Sequence, residues 1–229
     1  MDVHITQFNV QLYFRKPVLD TERLRNAFSE SDGFTASAAS GGGQHPMQGT
    51  ASFFRQGFRI APVQSNALPF RILQVMTYPN AVKEPETETL ACLQYVAGAL
   101  REHLGLELGS EIYAVRVVYH SIVTGSRDVQ RMLSRLGRID TIPSIAGRYV
   151  GHKNPMDAIQ LTSKTGGELE HDSWSDMRIS QFDTNSYVVT IFNETSSLDG
   201  ATRFISGVKQ FVATMMQEME DAAAAEPAN

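Results

Sequence analysis

A chain of 229 residues with 42% hydrophobic and 20% charged side chains has the make-up of a globular protein, not of a disordered or fibrous one. At this length folding buries roughly 70% of the unfolded surface, so neither disulfides nor a structural metal are needed to hold a core. The net charge of −5 argues against a protein that coats nucleic acid with its whole surface, and leaves room for a local basic patch.

The chain starts with a strand over residues 3–14. Phe8, Val10, Leu12 and Phe14 share one face, while Val3 and Ile5 have the opposite parity. A bulge or twist near Gln7 reconciles the two. The start lacks the basic residues and continuous apolar run of a signal peptide. No run approaches the length that crosses a membrane.

Asp20 is placed to cap a short helix reaching about Glu30, with Leu24, Ala27 and Phe28 inward. Residues 31–49 are rich in Ala, Ser and Gly and read as a mobile loop. Strands follow at 51–60 and 70–78. Pro85 then opens a helix whose Leu90, Leu93, Val96, Leu100 and Leu104 keep helical spacing, and Gly105 stops it. A strand rich in Ile, Tyr and Val runs over 111–123. The expected class is α+β, antiparallel sheet with helices on one face. Residues 1–124 take the β-α-β-β-α-β order of a ferredoxin-like half.

Residues 125–229 form a second α+β half, continuous with the first or separate. A helix over 126–136 comes first, then a Gly-, Pro- and Arg-containing stretch. Strands near 158–162 and 177–182 follow. Asp183-Thr184-Asn185 reads as a hairpin turn to a strand at 186–193. The last helix carries Ala201, Phe204, Ile205, Val208, Phe211, Val212, Met215 and Met219 as one apolar stripe. There is no internal repeat of short period.

Four features bear on chemistry. Arg127, Arg131 and Arg135 recur every four residues, and Arg138, Arg148 and Lys153 follow. These six cations meet only Asp128 and Asp140, a local +4 in an acidic chain, which suits an anionic ligand or nucleic acid or else a solvated helix face. In the strand at 51–60, Phe53, Arg55 and Arg59 alternate with Phe54, Phe58 and Ile60. Aromatics with cations on a sheet suit base stacking, and a packed Phe53 is the other reading.

His4-Ile5-Thr6 resembles the His-x-Thr form of two-histidine phosphoesterases, in which paired histidines act as acid and base. The resemblance covers three residues. The partner strand offers His120-Ser121-Ile122, where the hydroxyl comes one residue early and turns to the other face. Glu168, Glu170, His171, Asp172 and Asp176 are the densest group of metal-ligating types, at no spacing that defines a metal loop, and read as an exposed acidic loop. Gly41-Gly42-Gly43-Gln44-His45 lacks the Lys and Ser/Thr of a phosphate loop. Cys92 reads as a small buried residue, and one unpaired Cys suits a reducing, cytoplasmic compartment.

From these residues the expected protein is a non-catalytic, cytoplasmic binding or assembly protein. It forms a homo-oligomer or holds another protein through strand edges or the last helix, with Phe204, Val208, Phe211, Met215 and Met219 as the contact residues. The alternative is a nucleic-acid or anion binder through Arg127, Arg131, Arg135, Arg138, Arg148 and Lys153. A second alternative is a phosphoester-processing enzyme using His4 and His120. The sequence calls for no cofactor, no metal and no membrane.

Overall fold

In the computed structural model the residues described are 1–19, 21–28, 33–38, 51–63, 70–78, 82–125, 158–164 and 174–225. Two 13-residue strands, β1 (Asp2–Phe14) and β6 (Ile112–Thr124), pair antiparallel at the centre. Their register steps from Ile5 opposite Ser121 to Gln7 opposite His120, so Thr6 is the extra residue of a bulge. The bulge carries Val3 and Ile5 onto the same buried face as Phe8, Val10, Leu12 and Phe14. Thr6 Oγ1 donates to the His120 carbonyl, 3.1 Å away.

The remaining strands are β2 (Thr35–Ala38), β3 (Ala51–Arg55), β4 (Phe58–Pro62), β5 (Ile72–Thr77), β7 (Ala158–Lys164), β8 (Trp174–Gln181) and β9 (Ser186–Thr195). They complete one sheet in the order β2-β3-β4-β5-β1-β6-β9-β8-β7, antiparallel throughout. Because β6 pairs with both β1 and β9, the sheet runs unbroken across residues 1–124 and 125–229. The two central strands are flanked alike, β1 by β5 and β6 by β9.

The α+β class holds, but the β-α-β-β-α-β order does not. Four strands, β2 to β5, separate the first two helices. Residues 35–38, expected within a mobile loop, are an edge strand because β3 supplies their hydrogen-bond partners. The single strand expected at 51–60 is a hairpin. Gln56-Gly57 is its two-residue turn, and Gly57 has φ 85, a conformation that costs glycine nothing and an L side chain energy. Residues 31–32 and 39–49 of that loop and the helix at 126–136 lie outside the described residues. The turn at 183–185 closes as an Asx-turn, with the Asn185 N–H donating to Asp183 Oδ1 at 2.9 Å.

Helices α1 (Thr21–Ala27), α2 (Pro85–Leu104) and α4 (Leu198–Ala225) pack on one face of the sheet, and α3 (Leu108–Glu111) is a single turn. Pro85 begins α2, and the Glu88 carboxylate accepts the N–H groups of Lys83 and Glu84 ahead of it. Gly105 closes α2 at φ 67: its N–H reaches the Arg101 carbonyl and the Leu106 N–H the Leu100 carbonyl. Ser197 caps α4, its Oγ accepting from the Gly200 N–H.

Leu93, Val96 and Leu100 of α2 and Ala201, Ile205, Val208, Val212 and Met216 of α4 meet the buried rows of β1, β6 and β9. Each large aliphatic side chain buried there contributes roughly 1.5–3 kcal/mol. The other face of β1, β6 and β9 presents Asn9, Gln11, Arg116, His120, Thr190 and Glu194, and no described helix lies over it.

Candidate functional site

The sheet extends past the helical layer at the β2–β4 side, and a cleft of about 320 Å³ opens there. One wall is a single face of α2, where Glu88, Ala91, Cys92 and Tyr95 fall at helical spacing. The other wall is Phe34, at the start of β2, with Arg55, Gln56 and Phe58 from the tip of the β3–β4 hairpin. The two-residue turn decides this geometry. It sets Phe58 directly opposite Arg55, on the side of the sheet that faces the helices.

The floor is aromatic. Phe28 lies 5.3 Å from Phe53 and 5.5 Å from Phe34, and Phe34 lies 5.4 Å from Tyr95, measured between ring centroids. Over this floor the Arg55 guanidinium sits 5.6 Å from the Phe34 centroid and 5.3 Å from that of Tyr95. Ring quadrupoles hold a cation in such a position with ~0.5–1 kcal/mol at an exposed site. No described carboxylate forms an ion pair with Arg55. The rings thus hold its fork of N–H donors in one orientation, and among the described residues no ion pair engages it.

Cys92 lines the same cleft, half-buried rather than fully buried. Burial pushes its thiol up to about 12, against a smaller downward pull from the Arg55 charge. At neutral pH it is protonated, a polarisable wall rather than a nucleophile.

The residues singled out in the sequence fall elsewhere or divide. Arg127, Arg131, Arg135, Arg138, Arg148 and Lys153 lie outside the described residues, as do Glu168, Glu170, His171 and Asp172. Of the row Phe53, Arg55 and Arg59, the hairpin keeps the first two on the helix side and turns Arg59 to the opposite face, where its guanidinium donates to Ser52 Oγ. Phe53 is fully buried, packed on Phe28 of the first half. The stripe on α4 also divides. Val208 is core, Phe204, Met215 and Met219 are partly buried against it, and Phe211 is 53% exposed.

His4 and His120 share the face opposite the described helices, His4 opposite Ile122 and His120 opposite Gln7. His120 Nδ1 lies 3.1 Å from Thr190 Oγ1, and burial lowers its pKa from the usual 6.5. The hydroxyls of the expected motif are engaged otherwise: Thr6 with the main chain of His120, and Ser121 turned into the core. Among the described residues no three His, Cys, Asp or Glu side chains are grouped to hold a metal, and no helix is long and apolar enough to cross a membrane. No family model matches the chain, and no curated protein or solved structure matches it.

Proposed function

We propose that the chain is a non-catalytic binding protein, and that its ligand is a small organic anion with a flat apolar group, held in the cleft at Arg55. One observation carries this reading. A guanidinium with no carboxylate partner among the described residues lies over two aromatic rings at the mouth of a cleft of ligand size. The anionic group would take the Arg55 donors, and the flat group would pack among Phe34, Phe58 and Tyr95. A protonated Cys92 beside it suits binding rather than covalent chemistry, and one half-buried thiol suits a reducing, cytoplasmic compartment.

The test is a thermal-shift panel of aromatic carboxylates and aryl phosphates against the wild type and Arg55→Ala. A ligand at 100 times its Kd stabilises by about 2.7 kcal/mol, which for a chain of this size raises Tm by about 5–10 °C. The rise should vanish in Arg55→Ala. Equal rises in both proteins would remove Arg55, and with it the proposal.

A second reading, association of two copies, rests on Phe211, exposed on α4 beside the partly buried Phe204 and Met215. Light scattering of the wild type and Phe211→Ser tests it. A monomeric wild type ends it.

A further inference from the structure

Phe70 is the only non-glycine among the described residues with positive φ, at 55. Its side chain is 45% exposed. An aromatic residue in the left-handed region carries a strain that glycine would not, and with the ring 45% exposed burial offsets little of it. The conformation is enforced by the chain on either side. The Leu19 N–H donates to the Phe70 carbonyl at 3.1 Å, and the Phe14 N–H donates to the Arg71 carbonyl at 2.8 Å. Those two bonds pin the intervening segment, with exposed Arg15 and Lys16, against Phe70 and Arg71.

Arg15, Lys16 and Arg71 are therefore brought to the same end of the sheet as one exposed ring of positive φ, with Arg15 Nε donating to the Ser110 carbonyl at 3.3 Å, in a chain of net charge −5. Glu111, whose carbonyl accepts the Arg15 N–H, is the adjoining acid. At the same end of the sheet Tyr113 is 37% exposed, edge-on to Tyr13. Beyond it the sheet face opposite the described helices carries half-buried amides, Asn9, Gln11 and Gln74, with Gln74 Nε2 donating to Asn9 Oδ1 at 3.0 Å. Exposed rings stack bases, cations meet phosphates, and amides offer both donors and acceptors to base edges.

We infer that this end of the sheet binds single-stranded nucleic acid, with Phe70 as the stacking platform and Arg15, Lys16 and Arg71 on the backbone. The surface is separate from the Arg55 cleft, so either assignment can fail alone.

The experiment is fluorescence anisotropy of labelled oligo(dT) and oligo(U) of about 12 nucleotides. It is run from about 50 to about 200 mM salt on the wild type, Arg15→Glu/Lys16→Glu and Phe70→Gly. The wild type should bind with an affinity that falls with salt at a log–log slope near −2, about −0.7 for each phosphate met by the three cations. The charge reversal should abolish binding. Phe70→Gly should weaken it on the order of tenfold, the share of one stacked base. It should do so without lowering Tm, because glycine relieves the positive φ, which separates a lost platform from a damaged fold. The inference is overturned by any of four results: no binding at low salt, unchanged affinity in either variant, equal affinity for polyphosphate, or binding to anionic lipid vesicles but not to oligonucleotides.

Discussion

Gly125 gives the sharpest prediction about packing. It follows β6 and donates its N–H to the Asn185 carbonyl at 2.8 Å. Its φ is outside the left-handed region, so alanine fits the backbone and only space is at issue. A Cβ there would stand 2.8 Å from Tyr187 Cε2 and would overlap Glu220 Oε1. Neither neighbour has room to retreat. Tyr187 is fully buried, Glu220 is 1% exposed, and the Tyr187 hydroxyl donates to Glu220 Oε1 at 3.2 Å. Overpacking costs about 1–3 kcal/mol, and loosening a buried hydrogen bond to a carboxylate adds about 1–2 more. Gly125→Ala should therefore destabilise by about 2–5 kcal/mol, a fall of about 4–20 °C in Tm at this chain length. Circular dichroism melts measure it. Gly105→Ala is the contrast: nothing lies within 4 Å of that Cβ, and only φ 67 is strained, for about 1 kcal/mol. If the clash at Glu220 is the cause, Gly125→Ala and Glu220→Ala will be non-additive by about 1 kcal/mol or more. A melt within about 1 °C of wild type for Gly125→Ala, or strict additivity, would refute the reasoning.

Cys92, with its thiol near 12, holds roughly one part in ten thousand as thiolate at pH 8, so a thiol reagent should label it slowly in the native protein and rapidly in urea. Full native labelling within minutes would contradict this. Burial lowers the folded pKa of His120, so the unfolded chain takes up its proton first, and stability falls as pH drops below about 6.5. The stability gap between wild type and His120→Asn should narrow from about pH 7.5 to about pH 5.5, whereas a constant gap would exclude the effect. Arg116 donates twice to Glu194 Oε2, at 3.0 and 2.7 Å, with the two side chains 38% and 26% exposed. Solvent screening should hold a double-mutant coupling to about 0.3–1 kcal/mol, and a value above about 2 kcal/mol would show that the pair is better shielded than its exposure implies.

Local signals carried the long elements. The parity change between Ile5 and Phe8 located the bulge, and Pro85 with Gly105 bounded α2. Non-local pairing hid the rest. Residues 35–38 are small and polar, with little strand preference of their own, and become a strand because β3 lies beside them. Gly57, a lone glycine within the strand expected at 51–60, is half of a turn. On α4 the stripe read from the sequence included Phe211 and left out Met216, yet Met216 is fully buried and Phe211 faces out, because the buried face is the one that packs on β6 and β9.

The same mismatch explains why the cleft was only half visible. Arg55 stood out in the sequence, and so did the apolar spacing of α2, but nothing local brings residues 88–95 to residue 55. The sheet brings them together. Helix α2 packs over β1 and β5, α1 packs on α2, and three more strands extend outward from β5. A helix layer narrower than its sheet leaves the inner side of the outer strands to be covered by side chains alone. The aromatic rings of Phe28, Phe34, Phe53 and Tyr95 fill most of that space. Arg55 closes over them because a guanidinium can lie on aromatic rings and still keep its edge in water. Arg55→Leu should then preserve the packing and the stability of this corner while removing the anion site. If that variant melts several degrees below the wild type without any ligand, the arginine serves the fold rather than a bound anion.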